Sequence, residues 1–292
     1  MTFSKISVIT PSFNQVEFLE QTILSVLGQD YPELEYIIID GGSKDASVDI
    51  IKKYEGRLKF WVSEKDTGQG NAINKGFSNA TGDILFWLNS DDLLMPGILS
   101  WINQKVNESG DGIYFGNCIH FQENEKLISW GSDVQRNAKD YLLEEVDFVI
   151  QPSSFWTRKV IEQVGLLSET HHFTFDWEWF LRAKKLNVPF YPLTRPISMY
   201  RFHSKHKTRT GGNKRLSEIL DIYKSFNPSK ADLFELLIGE NVKRGTHSYG
   251  ILNMGSRIFN KPLTYGHTLK LIKYLKYKRF SARDINALSQ ML

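Results

Sequence analysis

Cysteine is almost missing from this sequence. Its 292 residues contain one, Cys118, which excludes an intramolecular disulfide framework and a zinc cluster built from cysteines. Residues 1–11 carry one lysine and a short apolar run that reaches a proline without a cleavage-site pattern. We therefore expect no secretory signal and a cytoplasmic location.

Long apolar runs and a strong charge of one sign are missing too. No stretch approaches the ~18 uninterrupted apolar residues of a membrane-spanning helix, so we expect the chain not to cross a membrane. The formal net charge is +3, too small to indicate nucleic-acid binding, and no nucleic-acid module is present. Apolar residues make up 41% and charged residues 24%, which is typical of a globular protein with a sizeable core.

What the sequence does contain is an alternation of short apolar strands and helix-period segments. Residues 6–10, 36–39 and 84–88 are predicted strands, each followed by a helix-period run. This order predicts an α/β fold with βαβ units, in which helices flank a mainly parallel central sheet. Ligands of such sheets lie beyond the carboxyl ends of the strands, where Asp40 and the pair Asp91-Asp92 fall.

The pattern changes along the chain and predicts two parts. Residues 1–210 form an α/β domain with two halves, at about 1–110 and about 111–210; residues 211–292 form a helical extension. Leucines and lysines interleave over 262–280. This is typical of a basic helix at an anionic membrane surface or of one packed on the α/β domain with a solvated face, and we favour the second.

The run Asn89-Ser90-Asp91-Asp92 is the first candidate for chemistry. Adjacent carboxylates after a buried strand repel each other unless a cation or hydrogen-bond donors lie between them. Mg²⁺ binds one or two carboxylates together with substrate phosphates. The run therefore predicts a metal site at Asp91 and Asp92, the alternative being an N-cap for the following helix.

Two glycine-containing turns offer further contacts. Asp40 precedes Gly41-Gly42 and can accept hydrogen bonds from a base or ribose, although an ordinary strand-to-helix turn explains it as well. The loop over 63–70 opens a helix whose N–H groups can bind an anion. Its best candidate for ligand binding, if it is more than a capping loop, is Asp66.

Two later segments complete the set. Residues 175–182 place acids among aromatic side chains. Partial desolvation raises the pKa of a carboxyl toward that of a general base, although these aromatics can also be core. Asp176 and Glu178 point in different directions, so one of them faces the site. Near 201–203, His203 can bind a metal and Arg201 a diphosphate, the alternative being a surface histidine.

Read in order, these segments resemble the inverting glycosyltransferases of family 2, which share the GT-A fold. The resemblance covers about residues 4–208. It implies that residues 1–210 are the catalytic domain, with a donor half at about 1–110 and an acceptor half at about 111–210. It implies donor or nucleotide contacts at Pro11, Ser12, Asn14, Asp40, Asp66, Gly70, Asn74, Lys75, Asp91 and Arg201. It implies metal ligands at Asp91, Asp92 and His203, acceptor-side residues at Gln151, Trp177 and Glu178, and a catalytic base at Asp176.

Three departures from the family pattern stand out. Asn89 occupies a position where the family's metal motif often begins with Asp. Asp45 follows a Gly-Gly-Ser-Lys turn rather than the commoner Asp-Gly-Ser-Thr form, and Phe175 stands where many members carry Glu.

The resemblance implies a metal-dependent inverting transfer from a nucleotide sugar, with Mn²⁺ or Mg²⁺ as the metal and a UDP-sugar as the expected donor. The implied acceptor is a saccharide or lipid-linked saccharide, in the synthesis of a bacterial capsule, O-antigen or exopolysaccharide. One alternative is a sugar-nucleotide transferase, which the turn Pro11-Ser12-Phe13-Asn14 disfavours because it lacks a glycine- and lysine-rich loop. The other is a non-catalytic sugar- or nucleotide-binding module. Peripheral contact with the inner face of the membrane is a further expectation.

Overall fold

A computed structural model describes residues 2–122, 128–203, 207, 211–239 and 280–292. The predicted basic segment over 262–280 lies outside the described residues apart from Phe280. Among the residues that are described, no helix combines the length and the apolar character needed to span a bilayer.

The chain divides into two units. The first consists of Met1–Lys139 and Phe148–Thr210, and the second of Asp140–Asp147 and Gly211–Leu292. The assignment of Asp140–Asp147 to the second unit differs from the sequence analysis, which placed this segment in the catalytic domain.

The first unit is built on one sheet. Its strands are β1 (Ile6–Ser12), β2 (Leu34–Asp40), β3 (Phe60–Ser63), β4 (Ile84–Trp87), β5 (Leu93–Leu94), β6 (Ile113–Gln122), β7 (Ile128–Gly131), β8 (Ser154–Thr157) and β9 (Phe190–Phe202). They lie in the order β3-β2-β1-β4-β8-β6-β9-β5, and β7 pairs with β6. The predicted α/β class with a central sheet is confirmed.

The two halves of the sheet differ in strand direction. β1 pairs in parallel with β2 and β4, and β2 pairs in parallel with β3. Beyond β4 the sheet is mixed, because β8 is antiparallel to both β4 and β6 whereas β9 is parallel to β6. The carboxyl ends of β1 to β4 therefore meet at one edge.

Helices cover both faces of the sheet. Those of the first unit are α1 (Leu19–Leu27), α2 (Ser47–Lys53), α3 (Gln69–Asn79), α4 (Ile98–Ser109), α5 (Val134–Asp140), α6 (Arg158–Val164) and α7 (Phe175–Lys185). Every residue of β1 is buried. Ile6 and Val8 share a core cluster with side chains of α1, α2 and α4. The unbroken apolar runs of the sequence reflect this burial on both faces.

The second unit is helical where it is described. It contains α8 (Gly212–Phe226), α9 (Pro228–Gly239) and α10 (Ala282–Ser289). Glu145, in the segment that precedes β8, accepts hydrogen bonds from Arg283 at 3.0 and 2.8 Å. The Tyr223 hydroxyl donates to the Glu145 carbonyl at 2.8 Å. Buried polar groups need such partners, so Asp140–Asp147 is bound into this unit by specific contacts.

Helix α3 lies against β1 at Gly76, which permits a close approach. A Cβ atom at Gly76 would lie 3.0 Å from Cγ1 of Ile9 and still closer to its Cγ2. Because Ile is β-branched and this one is fully buried, its side chain has no room to rotate away. The position of α3, and of the loop before it, therefore depends on a glycine here.

We expect Gly76→Ala to lower the free energy of unfolding by about 1–2 kcal/mol, since overpacking exceeds the gain in helix propensity. Urea denaturation measures it. Gly56→Ala is the matched control, because no heavy atom lies within 4 Å of its added Cβ, and its change should stay within about 0.5 kcal/mol. Equal stabilities for both variants would contradict a tight contact between α3 and β1.

Candidate active site

The carboxyl end of β2 is organised by Asp40. Its side chain is 0% exposed and its Oδ2 accepts hydrogen bonds from the Ser43 amide at 2.8 Å and the Ser63 hydroxyl at 2.6 Å. Oδ1 accepts from the Ser43 hydroxyl at 2.5 Å. The sequence analysis expects Asp40 to contact a nucleotide, whereas the structure places its carboxylate inside the turn, where it fixes the backbone.

The turn after β1 is joined to this one by Asn14. Its side-chain oxygen accepts from the Lys44 amide at 2.8 Å, and its own amide donates to the Ser43 hydroxyl at 2.7 Å. Asn14 has a positive φ of 52°, a conformation that Asn tolerates better than most residues. Pro11 and Ser12, also predicted to bind the donor, are buried at the end of β1. These side chains shape the edge of the sheet.

Phe13 is a residue that the candidate list missed. Its ring is 58% exposed, although it directly follows a buried strand. Gly41 separates it from Asp66: a Cβ at Gly41 would lie 3.3 Å from the Phe13 ring and 2.6 Å from the Asp66 carboxylate. Its place in the turn that directly follows a predicted parallel strand is the signal that could have found it, since ligands lie at that edge.

Asp66 is the acid that lies beside Phe13 and Gly41 at this edge of the sheet. Its Oδ1 accepts a hydrogen bond from the Gly68 amide at 2.9 Å. Burial raises the pKa of Asp66 above its usual value, and the nearby charge of Asp40 adds to the rise, against the hydrogen bond from Gly68 and the charge of Lys75. The carboxylate therefore lies beside Phe13 in a partly desolvated position.

Three residues of α3 that are predicted to contact the donor lie close to other groups of the protein. Asn74 is buried and exchanges hydrogen bonds with the backbone of Leu167, each of 3.0 Å. Lys75 donates to Glu64 at 2.6 Å. A Cβ at Gly70 would lie 3.2 Å from the Ser168 carbonyl. Asn74 and Gly70 lie where α3 packs against the chain that follows α6, whereas the partner of Lys75 lies in the loop before α3. The predicted donor contacts at these three positions stay predictions.

Asp91 and Asp92 point in different directions at the end of β4. Asp92 is 1% exposed and accepts hydrogen bonds from the Arg201 amide at 3.1 Å and, at 3.4 Å, from the Asn89 side chain. Burial, and next the neighbouring Asp91 charge, raise its pKa well above the usual value. The Asp91 carboxylate instead lies 3.0 Å from Nε2 of His203.

Arg201 is a buried residue that binds the backbone of Asp91. It is 1% exposed; its Nε donates to the Asp91 carbonyl at 3.0 Å and its Nη2 to the Gln21 side chain at 2.6 Å. The guanidinium lies 4.8 Å from the ring centre of Phe18 and 4.7 Å from that of Phe121. The sequence analysis expects donor binding by Arg201, whereas the structure buries its side chain in a cation–π sandwich.

Asn89 is the centre of a hydrogen-bond network. Its oxygen accepts from Gln69 at 2.8 Å, and its amide donates to Gln151 at 3.3 Å and to Asp92. Gln151 in turn donates to the Trp87 carbonyl at 2.7 Å. Gln151 therefore supports Asn89 rather than facing an acceptor. The network also fits the departure from the family pattern, because an ionised Asp at position 89 could accept from Gln69 but could not donate to Asp92.

At the start of α7, Asp176 and Glu178 take different roles. Asp176 is half-buried and its Oδ1 accepts from the Trp177 amide at 2.9 Å. Glu178 is bound by Arg182 at 2.8 Å, and Trp177 is fully buried. The predicted acceptor-side positions Trp177 and Glu178 thus lie in the packing of α7. Asp176 lies in the first turn of α7, and its role as catalytic base stays a prediction here.

Lys207 connects this helix to the end of β4. Its Nζ lies 5.1 Å from the centre of the Phe175 ring and donates to Gln69 at 2.7 Å. Gln69 is bound to Asn89, and the Phe175 ring lies 6.1 Å from that of Trp87 in β4. The start of α3, the start of α7 and the end of β4 therefore meet.

The Asp91–His203 pair has the chemistry of a cation site. A carboxylate oxygen and an imidazole nitrogen are both ligands of divalent metals such as Mn²⁺. Over the described ranges, no group of three or more His, Cys, Asp and Glu side chains converges in a way that could hold a metal. A metal here would take its remaining ligands from substrate phosphate and water, as Mg²⁺ commonly does.

Solved structures with the same architecture define the class of fold. The chain matches Staphylococcus aureus TarS residues 1–349 in complex with UDP-GlcNAc at a TM-score of 0.60, with 15% identity over 98% of this chain and 90% of that one. It matches the mannosyltransferase PcManGT from Pyrobaculum calidifontis, in complex with GDP-Man and Mn²⁺, at 0.56, with 13% identity over 99% and 74%. This is the GT-A fold.

Sequence comparison narrows the class to one family. Residues 7–165 match the profile of glycosyl transferase family 2, and the chain belongs to that family.

Two relatives show how far the similarity extends. The GalNAc(5)-diNAcBac-PP-undecaprenol β-1,3-glucosyltransferase of Campylobacter jejuni is 34% identical over 151 residues, which are 50% of this chain and 48% of that protein. An uncharacterized glycosyltransferase of Rickettsia typhi is 25% identical over 252 residues, 84% of this chain and 77% of that protein. The chain spans about half the length of the Campylobacter relative.

We expect Asn89→Asp to lower the free energy of unfolding by about 1–3 kcal/mol, because it removes a donor to Asp92 and adds charge beside a buried carboxyl. Urea denaturation at neutral pH measures the change. Asn79→Asp also removes a side-chain amide that donates to backbone, but at an exposed position, and should cost less than about 1 kcal/mol. A harmless Asn89→Asp would show that the amide is not required.

Proposed function

We propose that this chain is a metal-dependent inverting glycosyltransferase that moves a sugar from a nucleotide-sugar donor to a hydroxyl acceptor. The observation that carries the proposal is the Asp91–His203 pair, 3.0 Å apart, at the sheet edge that also bears Phe13 and Asp66. Family membership and the GT-A fold support it, and the TarS and PcManGT structures are complexes with nucleotide sugars.

The nucleotide is assigned to the surface formed by Phe13 and Asp66. An exposed aromatic ring offers a stacking face for a base, and a carboxylate beside it can accept from base N–H groups. Asp40 and Asn14 hold the two turns in place through the bonds described above. This arrangement suits a nucleotide sugar, and the family resemblance implies a UDP-sugar.

The metal is assigned to Asp91 and His203. A divalent cation held there supplies positive charge against the diphosphate that leaves the sugar. Asp92 and Arg201 keep Asp91 turned outward: Asp92 accepts from the Arg201 backbone, and the Arg201 side chain donates to the Asp91 carbonyl. Both are therefore positioning residues rather than ligands.

Asp176 is assigned as the general base. It takes the proton from the acceptor hydroxyl while the hydroxyl oxygen forms a bond to the anomeric carbon. The bond from that carbon to the diphosphate breaks on the opposite side, the electron pair leaves with the diphosphate, and the configuration inverts. The first turn of α7 lies beside the end of β4 through the Phe175–Trp87 contact, which supports this assignment.

The acceptor we propose is a saccharide, free or linked to a lipid diphosphate, in the synthesis of a bacterial surface polysaccharide. The name of the Campylobacter jejuni relative includes PP-undecaprenol, which supports a lipid-linked acceptor. An acceptor of this kind fits a cytoplasmic protein that works at the inner face of the membrane.

Thermal denaturation with nucleoside diphosphates and nucleotide sugars tests the donor and metal assignments. A ligand that binds the native state raises the melting temperature, and we expect a shift with one nucleotide that depends on added Mn²⁺. Asp91→Asn should lose the metal-dependent part of the shift, whereas the exposed Asp49→Asn should keep it. No shift with any nucleotide in the presence of metal would reject the donor site and favour a module without transferase activity.

Asp176→Asn tests the base. We expect kcat to fall by roughly 10²–10⁴ while the donor dissociation constant stays within about twofold, because the amide cannot take the proton. Single-turnover transfer to the acceptor measures the first quantity and calorimetric titration of donor the second. Asp49→Asn serves again as the control. Unchanged turnover by Asp176→Asn would remove Asp176 from this role.

A further inference from the structure

The chain between α6 and α7, which we term the α6–α7 loop (residues 165–174), is bound at its start by α7. Arg182 donates to the carbonyls of Val164 and Leu166, both at 2.7 Å. The Trp179 indole donates to the Gly165 carbonyl at 2.8 Å. The loop therefore leaves α6 in a direction that α7 determines.

The middle of the same loop is bound by α3 through Glu169. One carboxylate oxygen accepts from the Asn71 side chain at 3.1 Å and, at 3.4 Å, from the Thr67 hydroxyl. The other accepts from the Asn74 side chain at 3.1 Å. These partners are neutral, and hydrogen bonds to a charged acceptor are stronger than those between neutral groups. An exposed glutamate thus binds the first turns of α3.

The first turn of α3 is also where the proposed donor surface begins. Asp66 is bound to the Gly68 amide just before it, and Gln69 at its start is bound to Asn89. Gly68 has a φ of 134°, a backbone conformation that glycine adopts without strain. A loop with such a glycine needs external contacts to hold it in one arrangement, and Glu169 provides them from the side of α7.

The negative charge of Glu169 fits the end of the helix that it binds. Thr67, Asn71 and Asn74 belong to the N-terminal part of α3 or precede it, where the helix dipole and unpaired N–H groups favour an anion. Neutral side chains at position 169 would keep the loop length but lose this attraction. The contact is therefore specific for a carboxylate.

We propose that Glu169 is a positioning residue for donor binding, which holds the loop 64–70 in place against the α6–α7 loop and, through it, against the helix that carries Asp176. The proposal rests on the proposed function, because the loop 64–70 carries Asp66 of the donor surface. Glu169 itself is assigned no contact with the donor.

The first test needs no ligand. Hydrogen exchange of the backbone amides over 64–72, measured in the full chain, should become about tenfold faster in Glu169→Ala, because the opening of the loop no longer breaks these bonds. Glu169→Gln should lie between Glu169→Ala and the unsubstituted protein. Glu162→Gln, at an exposed position on α6, is the control and should exchange like the unsubstituted protein.

The second test measures the affinity for the donor. We expect Glu169→Ala to weaken binding of the nucleotide that stabilises the unsubstituted protein about tenfold and to raise the donor KM similarly, while kcat at saturating donor changes less than about threefold. Combining it with Asn71→Ala should give less than the sum of the two effects, because the two side chains share one contact. A global loss of packing would lower kcat and the melting temperature together, and the thermal scan of each variant detects it.

The outcomes separate the two proposals. Faster exchange over 64–72 together with a raised donor KM supports the role of Glu169. Unchanged exchange overturns it, whether or not the protein transfers a sugar. Faster exchange with unchanged nucleotide binding also overturns it. If the unsubstituted protein binds no nucleotide, the proposed function fails and the donor-positioning role fails with it, while the exchange result still reports whether Glu169 holds the loop.

Discussion

The buried carboxyl of Asp92 is the constraint on which the geometry of the site depends. A carboxyl removed from water must be hydrogen-bonded or protonated, and Asp92 accepts from Asn89 and from the backbone of Arg201. These bonds attach the end of β4 to β9. With Asp92 directed inward, the adjacent residue Asp91 is directed outward, and its carboxylate meets His203.

A second layer of side chains supports those that face outward. The outer side chains are Phe13, Asp66, Asp91, Asp176 and His203. The supporting side chains, each engaged with protein atoms, are Asn14, Asp40, Asn74, Asn89, Gln151 and Arg201. Such support restricts the outer groups to one arrangement, which the proposed transfer from a donor to an acceptor requires.

The sequence predicts the edge of the sheet better than it predicts the direction of each side chain. Unbroken apolar runs indicate strands that are buried on both faces, and the acidic clusters after them lie where ligands bind. The neighbourhood of Asp91 and His203 follows from the family pattern. The environment of a single residue is harder to predict, because it depends on partners about a hundred residues away in the chain. The burial of Arg201 and the bonds between Asn74 and Leu167 are examples.

Two omissions have the same origin. The sequence places Phe13 in the turn after β1 but does not indicate the direction of its ring, and only the fold reveals that the ring is exposed. No local sequence pattern indicates that Asp140–Asp147 belongs to the second unit, because the segment is bound there by contacts with Tyr223 and Arg283, which are distant in the sequence.

Because of the segment Asp140–Asp147, both units of the protein are discontinuous in sequence. The chain leaves the first unit at Lys139, contributes Asp140–Asp147 to the second, and returns at Phe148. Truncation after Thr210 would therefore remove Arg283, the partner of Glu145, and would expose the buried side chains of Leu143 and Val146. The same constraint applies to chimaeras of family members. A C-terminal unit can be exchanged intact only if the protein that provides it also provides the short insert that completes it.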